Sequence, residues 1–168
     1  MYSSFITFLM VYGSLLLALI LNLMAPPKAI AIFFPNIFLL MIMFWAVKIP
    51  RMVSIGHAFV CGLILDFAIG STMGIRAFSF SLMIYMLSSA FSRLDSYSLL
   101  QQALCIGIIS FLGQIATFWL EHAFGLAIID FHTILSVISD VILWPLLWVS
   151  MSFVMRFRHV VRNTGNEL

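Results

Sequence analysis

Charge is the scarcest commodity in this sequence: Asp, Glu, Lys and Arg together make up 8% of its 168 residues, against about 25% in soluble globular domains. So few ionisable groups exclude a water-soluble globule of this size, which needs polar side chains to cover its surface. Cysteine is nearly missing too. Cys61 and Cys105 stand alone, without C-x-x-C spacing, which excludes a disulfide framework and a thiolate metal site. No stretch between apolar segments exceeds about a dozen residues, so there is no soluble domain, linker or low-complexity tract. Signatures of catalysis are lacking as well. The chain has no H-E-x-x-H and no P-loop lysine motif, and Gly70-Ser71-Thr72-Met73-Gly74 places Thr where G-x-S-x-G requires Ser. The expectation is a protein that is not an enzyme and that carries no metal or cofactor.

Apolar residues are what is present, at 64% of the chain with 17 Phe and 11 Met and a mean hydropathy of +1.18. An integral membrane protein is expected. Crossing ~30 Å of hydrocarbon at ~1.5 Å per residue takes about 20 helical residues, and six segments present themselves. They cover 5–24, ended by Pro26 and Pro27; 29–47, interrupted by Pro35 and Asn36 and stopped by Pro50; 52–69; 75–91; 99–120, after the polar patch Arg93-Leu94-Asp95-Ser96; and 133–155, which contains Pro145. A short tail, 156–168, remains. The predicted fold is all-α, one domain over 1–168, a single bundle of six transmembrane helices. Pro35 ahead of only ~12 apolar residues is its physical weak point. If that segment fails to cross, five spans remain and the N-terminus moves outside. The first segment lacks a basic n-region, and Pro26 disfavours cleavage after Met24-Ala25, so it reads as a retained helix and not as a signal peptide.

Basic residues orient the bundle, because Lys and Arg in short loops favour the cytoplasm. With six spans and an inside N-terminus, Lys48, Arg51, Arg93, Arg156, Arg158 and Arg162 fall inside and only Lys28 and Arg76 outside. Both termini are then cytoplasmic, and Glu121, His122, Asp130 and His132 lie in an outer loop. The run Arg156-Phe157-Arg158-His159 suits anionic lipid headgroups better than nucleic acid.

Residues three or four apart share a helix face, and several such rows are small or polar. They are Ser14, Ala18 and Asn22; Ala58, Gly62, Asp66 and Gly70; Ser81, Tyr85, Ser88 and Ser92; Ala103, Gly107, Ser110, Gln114, Thr117 and Glu121; and Ser136, Asp140 and Ser150. These rows are expected to face protein while Phe, Leu and Ile face lipid. Packing explains them without a substrate path.

Buried ionisable groups need partners. Asp66 lies one turn before Gly70, and Arg76 lies just past Gly74. Gly70 and Gly74 read as a tight turn between antiparallel helices, so Asp66 is expected to be held by Arg76 or by backbone donors of that turn, solvation at the interface being the alternative. Depth counting puts Gln114 and Asp140 at one level in adjacent helices, which predicts a hydrogen bond between them, with a proton relay through Asp140 as the sharper alternative. His57 and Cys61, four apart, could offer two metal ligands, too few for a site. His57 reads instead as a polar group near the interface.

Gly62, Ile64-Leu65-Asp66, Gly70-Ser71-Thr72, Gly74 and Arg76 resemble the pattern of the MreD family of rod shape-determining membrane proteins. Pro35-Asn36, Gln101-Gln102-Ala103, Phe118-Trp119 with Glu121, and Leu143-Trp144-Pro145 add to the likeness, which runs over roughly Pro35 to Arg158. Gln114 and Asp140 depart from it, since the family pattern carries an acid and an amide there in the opposite order. The resemblance implies a bacterial inner (plasma) membrane scaffold of the lateral wall-elongation machinery. Its implied direct partner is MreC and, through MreC, MreB, RodA and a class B penicillin-binding transpeptidase. It also implies a six-helix fold similar to the substrate-binding subunits of energy-coupling-factor transporters. Asp66, Arg76, Gly70, Gly74, Gln114, Glu121, Asp140, Trp119 and Trp144 are the structural or partner-binding candidates. Membrane lipids are expected contacts, and whether two copies pair is left open. The other reading is a transporter subunit that binds a vitamin-type small molecule, for which Ser14 and Ala18 give only part of the expected first-helix docking seam.

Overall fold

The structure is a computed structural model that describes residues 2–24, 35–90, 94–125 and 132–164, with side chains described over 6–24, 35–89, 94, 96–125 and 136–155. Lys28, Ser92, Arg93, Asp130, His132, Arg156, Arg158 and Arg162 therefore lie outside the described side chains, as does the 29–34 part of the expected second segment. Among the described residues there are six α-helices: α1 Tyr2–Leu23, α2 Ile37–Lys48, α3 Ile55–Ile69, α4 Ile75–Ala90, α5 Leu99–Ala123 and α6 His132–Thr164, with a 3-10 turn at Leu94–Ser96 before α5. No strand occurs among the described residues. Stretches of α1, α5 and α6 are long and apolar enough to cross a membrane, whereas α2, α3 and α4 are shorter apolar helices.

α2 begins at Ile37, directly after the Pro35-Asn36 interruption expected in the second segment. Pro35 has no N–H to donate and disfavours helix in the residue before it, so the helix starts just after it. Asn36 caps that start, its side-chain oxygen accepting the Leu39 N–H at 3.2 Å. The result is a 12-residue helix in which every side chain from Phe38 to Trp45 is buried. A helix that is apolar all round belongs inside a protein. α2 accordingly contacts α1, α4, α6 and the 3-10 turn, where Leu94 is buried against the same core. The helices close a ring in the order α1, α3, α4, α5, α6, α2, and α2 also reaches across it to α4. α6 also runs further than expected, through Pro145 and the basic run to Thr164.

Small residues set how closely the ring closes. A Cβ on Gly62 would fall 2.7 Å from the Ala77 nitrogen and 2.8 Å from the Arg76 carbonyl oxygen, so α3 and α4 touch backbone to backbone there. On α5, Gly107 faces Val141 of α6 and Gly113 faces Met83 of α4. The expected α5 row holds at Ala103, Gly107 and Ser110, all buried. The α4 row is corrected. Tyr85 and Ser88 point outward, and Ser81 and Ser88 bond to their own helix at Ala77 and Tyr85 carbonyls. The inward face of α4 is Ala77, Phe80, Met83, Ile84 and Leu87, because those larger side chains, and not the serines, fill the space against α2.

Gly62→Ala should lower the stability of the detergent-solubilised protein by about 1–3 kcal/mol, since helix backbones must part. Gly113→Ala should cost less, because only the flexible Met83 side chain must move, and Gly56→Ala, which meets nothing within 4 Å, should be neutral or stabilising. Thermal unfolding of the three variants checks the order.

Candidate functional site

The opening of the site is dictated by two glycines. Gly70 adopts φ +70 at the end of α3 and Gly74 adopts φ +102 before α4, both in the left-handed region that L side chains avoid. Gly70 stops α3, its N–H bonding to the Asp66 and Phe67 carbonyls. The Gly74 carbonyl accepts the Phe78 N–H at 2.9 Å and so starts α4. The first N–H groups of α4 have no partner within that helix. Asp66, fully buried, supplies one.

Asp66 Oδ2 accepts the Gly74 N–H at 2.9 Å and the Ala77 N–H at 3.4 Å. Oδ1 accepts the Ser71 hydroxyl at 3.1 Å and Arg76 Nη1 at 3.5 Å. Ser71 is also the relay between them, since its Oγ receives Arg76 Nη1 at 2.7 Å. Both kinds of donor expected for Asp66 are thus present. The backbone donor is the closer, and Arg76, itself partly exposed, holds the outside of the clamp. An interfacially solvated carboxylate does not describe this group. Four donors occupy its acceptor sites, which suits a structural clamp and leaves no lone pair free to take a substrate proton.

Asp140 does the equivalent for α2. Buried within α6, it accepts the Asn36 N–H on Oδ1 at 3.0 Å, at the helix end where a negative charge is also favoured by the peptide dipoles. The expected bond from Gln114 is not formed. Gln114 donates to Ser136 at 3.4 Å, one helical turn before Asp140. Counting residues gave the level along the helix axis but not the azimuth, and Asp140 faces α2. Ser110 lies beside the carboxylate, and neither its Oγ nor Asp140 Oδ2 has a hydrogen-bond partner within ordinary geometry.

Trp144 is fully buried, its Nε1 donating to Gln102 Oε1 at 3.4 Å. It packs on Trp148 at 5.7 Å, which meets Phe44 edge-on at 5.4 Å. Trp45 Nε1 donates to Ser14 Oγ at 2.8 Å, tying α1 to α2. Trp119, by contrast, is 71% exposed and Glu121 is partly exposed, both away from this cluster on the far part of α5. His57 is exposed and bonds Tyr12 at 3.2 Å. Among the described residues no group of three His, Cys, Asp or Glu could hold a metal ion. Sequence reasoning met Asn36, Ser71 and Gln102 only as carriers of a family likeness and gave them no structural role. Of these Asn36 carried a signal, being a good N-cap type between Pro35 and an apolar run.

A family model described as rod shape-determining protein MreD matches residues 2–154. The chain is also similar to the rod shape-determining protein MreD of Haemophilus influenzae, with 29% identity over 140 residues, covering 83% of this chain and 86% of that protein. No solved structure matches it.

Asp140→Asn keeps an acceptor oxygen for Asn36 and should cost less than about 1 kcal/mol, while Asp140→Leu leaves a buried N–H unpaired and should cost about 1–3 kcal/mol. Arg76→Ala should be milder than Asp66→Leu, because the backbone N–H groups lose their acceptor only in the second. Unfolding midpoints in detergent check both comparisons. A full loss of function in Asp140→Asn with unchanged stability would instead favour a proton relay.

Proposed function

Since the chain belongs to the rod shape-determining MreD family, we propose that it is a non-enzymatic membrane scaffold of the bacterial cell-elongation machinery. It binds MreC and thereby helps organise lateral peptidoglycan synthesis with MreB, RodA and a class B penicillin-binding transpeptidase. It sits in the inner membrane as a six-span bundle, similar in helix number to the substrate-binding subunits of energy-coupling-factor transporters, with both termini in the cytoplasm. The observation that carries the scaffold reading is the saturated Asp66 clamp. A buried acid whose lone pairs are all committed holds shape, and here it fixes the turn that joins α3 to α4. Phe67, Ile69 and Met73 are exposed around that turn, an apolar rim on a rigid support, suited to a partner segment at the membrane boundary.

The first-helix seam that the transporter reading expects is a further mark against it. A seam at Ser14 and Ala18 would have to be open to an energising partner. In the structure Ala18 is fully buried and Ser14 is engaged by Trp45 of α2.

Depletion of the protein should turn rods into spheres and abolish recovery of MreC with it, and Asp66→Leu expressed at the normal level should fail to restore either, while Gly56→Ala restores both. Normal rods together with undiminished MreC recovery after depletion would refute the proposal.

A further inference from the structure

A hydrogen-bonded polar pair stands on the outer surface of the bundle, between α1 and α3. Tyr12 and His57 meet there at 3.2 Å, hydroxyl to Nε2, with the Phe8 ring 4.2 Å from that of Tyr12, and both side chains are exposed. Apolar side chains surround them. Leu9 and Leu16 lie about one turn to either side of Tyr12 on α1, Val60 and Ile64 continue the row from His57 on α3, and all four are exposed. The stretch of α1 that is long and apolar enough to cross a membrane begins at Ile6, so Tyr12 lies about 9 Å inside it at 1.5 Å per residue, within a hydrocarbon core of ~30 Å. The bond holds His57 at the same level. Lipid offers polar groups at that depth no partner.

The hydrogen-bonding capacity of the pair decides what covers it. If the Tyr12 hydroxyl donates to neutral His57, the Nδ1–H and the phenolic lone pairs stay free; if Nε2–H donates instead, the hydroxyl hydrogen and the Nδ1 lone pair do. Either way one donor and one acceptor are left side by side. No other hydrogen bond engages them among the described residues. Such a surface is its own complement, because a twofold axis brings the donor of one copy to the acceptor of the other. We propose that this face is where a second copy of the chain pairs in the membrane, Tyr12 and His57 of each copy bonding across the twofold axis with Leu9, Leu16, Val60 and Ile64 packed around them. Polar side chains join helices in lipid in this way. The exposed row of Leu104 and Ile108 on α5 is apolar and gives a partner nothing to satisfy. From the proposed function the inference takes only its membrane setting.

Oxidative cysteine cross-linking in native membranes tests the pairing, with the full chain carrying Cys61→Ser, Cys105→Ser and one introduced cysteine at a time. Leu16→Cys and Val60→Cys should each give a product of twice the chain's mass, and Leu104→Cys and Ile108→Cys should not. Tyr12→Phe and His57→Leu should each weaken association of labelled copies in liposomes, read by energy transfer, about fivefold. The two substitutions together leave a lipid-facing surface with no unpaired polar group, so the double variant should fold and lose the cross-link, which covers a single variant that does not fold. No dimer product at either position, cross-linking only to another membrane protein, equal yields on α5, or an undiminished cross-link in the double variant would overturn the proposal. Recovery of the chain outside the membrane fraction would remove the membrane setting and the pairing with it, whereas a membrane-bound chain that does not cross-link overturns the pairing alone.

Discussion

Each buried carboxylate described in this chain sits at the N-terminus of a neighbouring helix, and the rest of the architecture depends on that. Asp66, at the end of α3, takes the N–H groups of Gly74 and Ala77 at the start of α4. Asp140, inside α6, takes the N–H of Asn36 at the start of α2. The helices so capped are short: α2 has 12 residues, about 18 Å of length at 1.5 Å per residue, against a hydrocarbon core of ~30 Å. A helix that ends at membrane depth exposes backbone donors where no water can satisfy them. A carboxylate from the next helix meets that need, and the donors in turn make the buried charge tolerable.

Shortness then becomes useful. α2 is apolar on every side and acts as an internal post, braced by Asp140 at one end and by the aromatic cluster of Phe44, Trp45, Trp144 and Trp148 at the other. The backbone contact at Gly62 locks α3 to α4 immediately below the Asp66 clamp. Two rigid ends follow from these two devices. One presents an apolar rim around the Gly70 turn, on which the scaffold proposal rests, and the other a partly polar cleft beside Lys48.

The Asp66 site was legible in the sequence because it is local. Its donors lie 5 to 11 residues away, and glycine at 70 and 74 marks the turn that brings them back. The Asp140 site was not, because Asn36 is 104 residues distant and a residue count along a helix fixes depth without direction. For the same reason the α4 row of Ser81, Tyr85 and Ser88 was assigned to the wrong side. Small polar residues mark a packing face only where larger apolar ones do not take it, and here Phe80, Met83 and Ile84 do. The second segment was recognisable as apolar and its break at Pro35 and Asn36 was visible, but the role of Asn36 as the cap of α2 was not assigned.

Hydrogen exchange resolved to individual peptides tests the capping arrangement most directly, in the detergent-solubilised chain and its Asp66→Leu and Asp140→Leu variants. Local loss of a cap opens the turn it held. Asp140→Leu should speed exchange at 36–40 and leave 74–78 protected, and Asp66→Leu should do the reverse. Protection unchanged at both helix starts, or lost equally at both in either variant, would contradict the claim that these carboxylates cap the short helices.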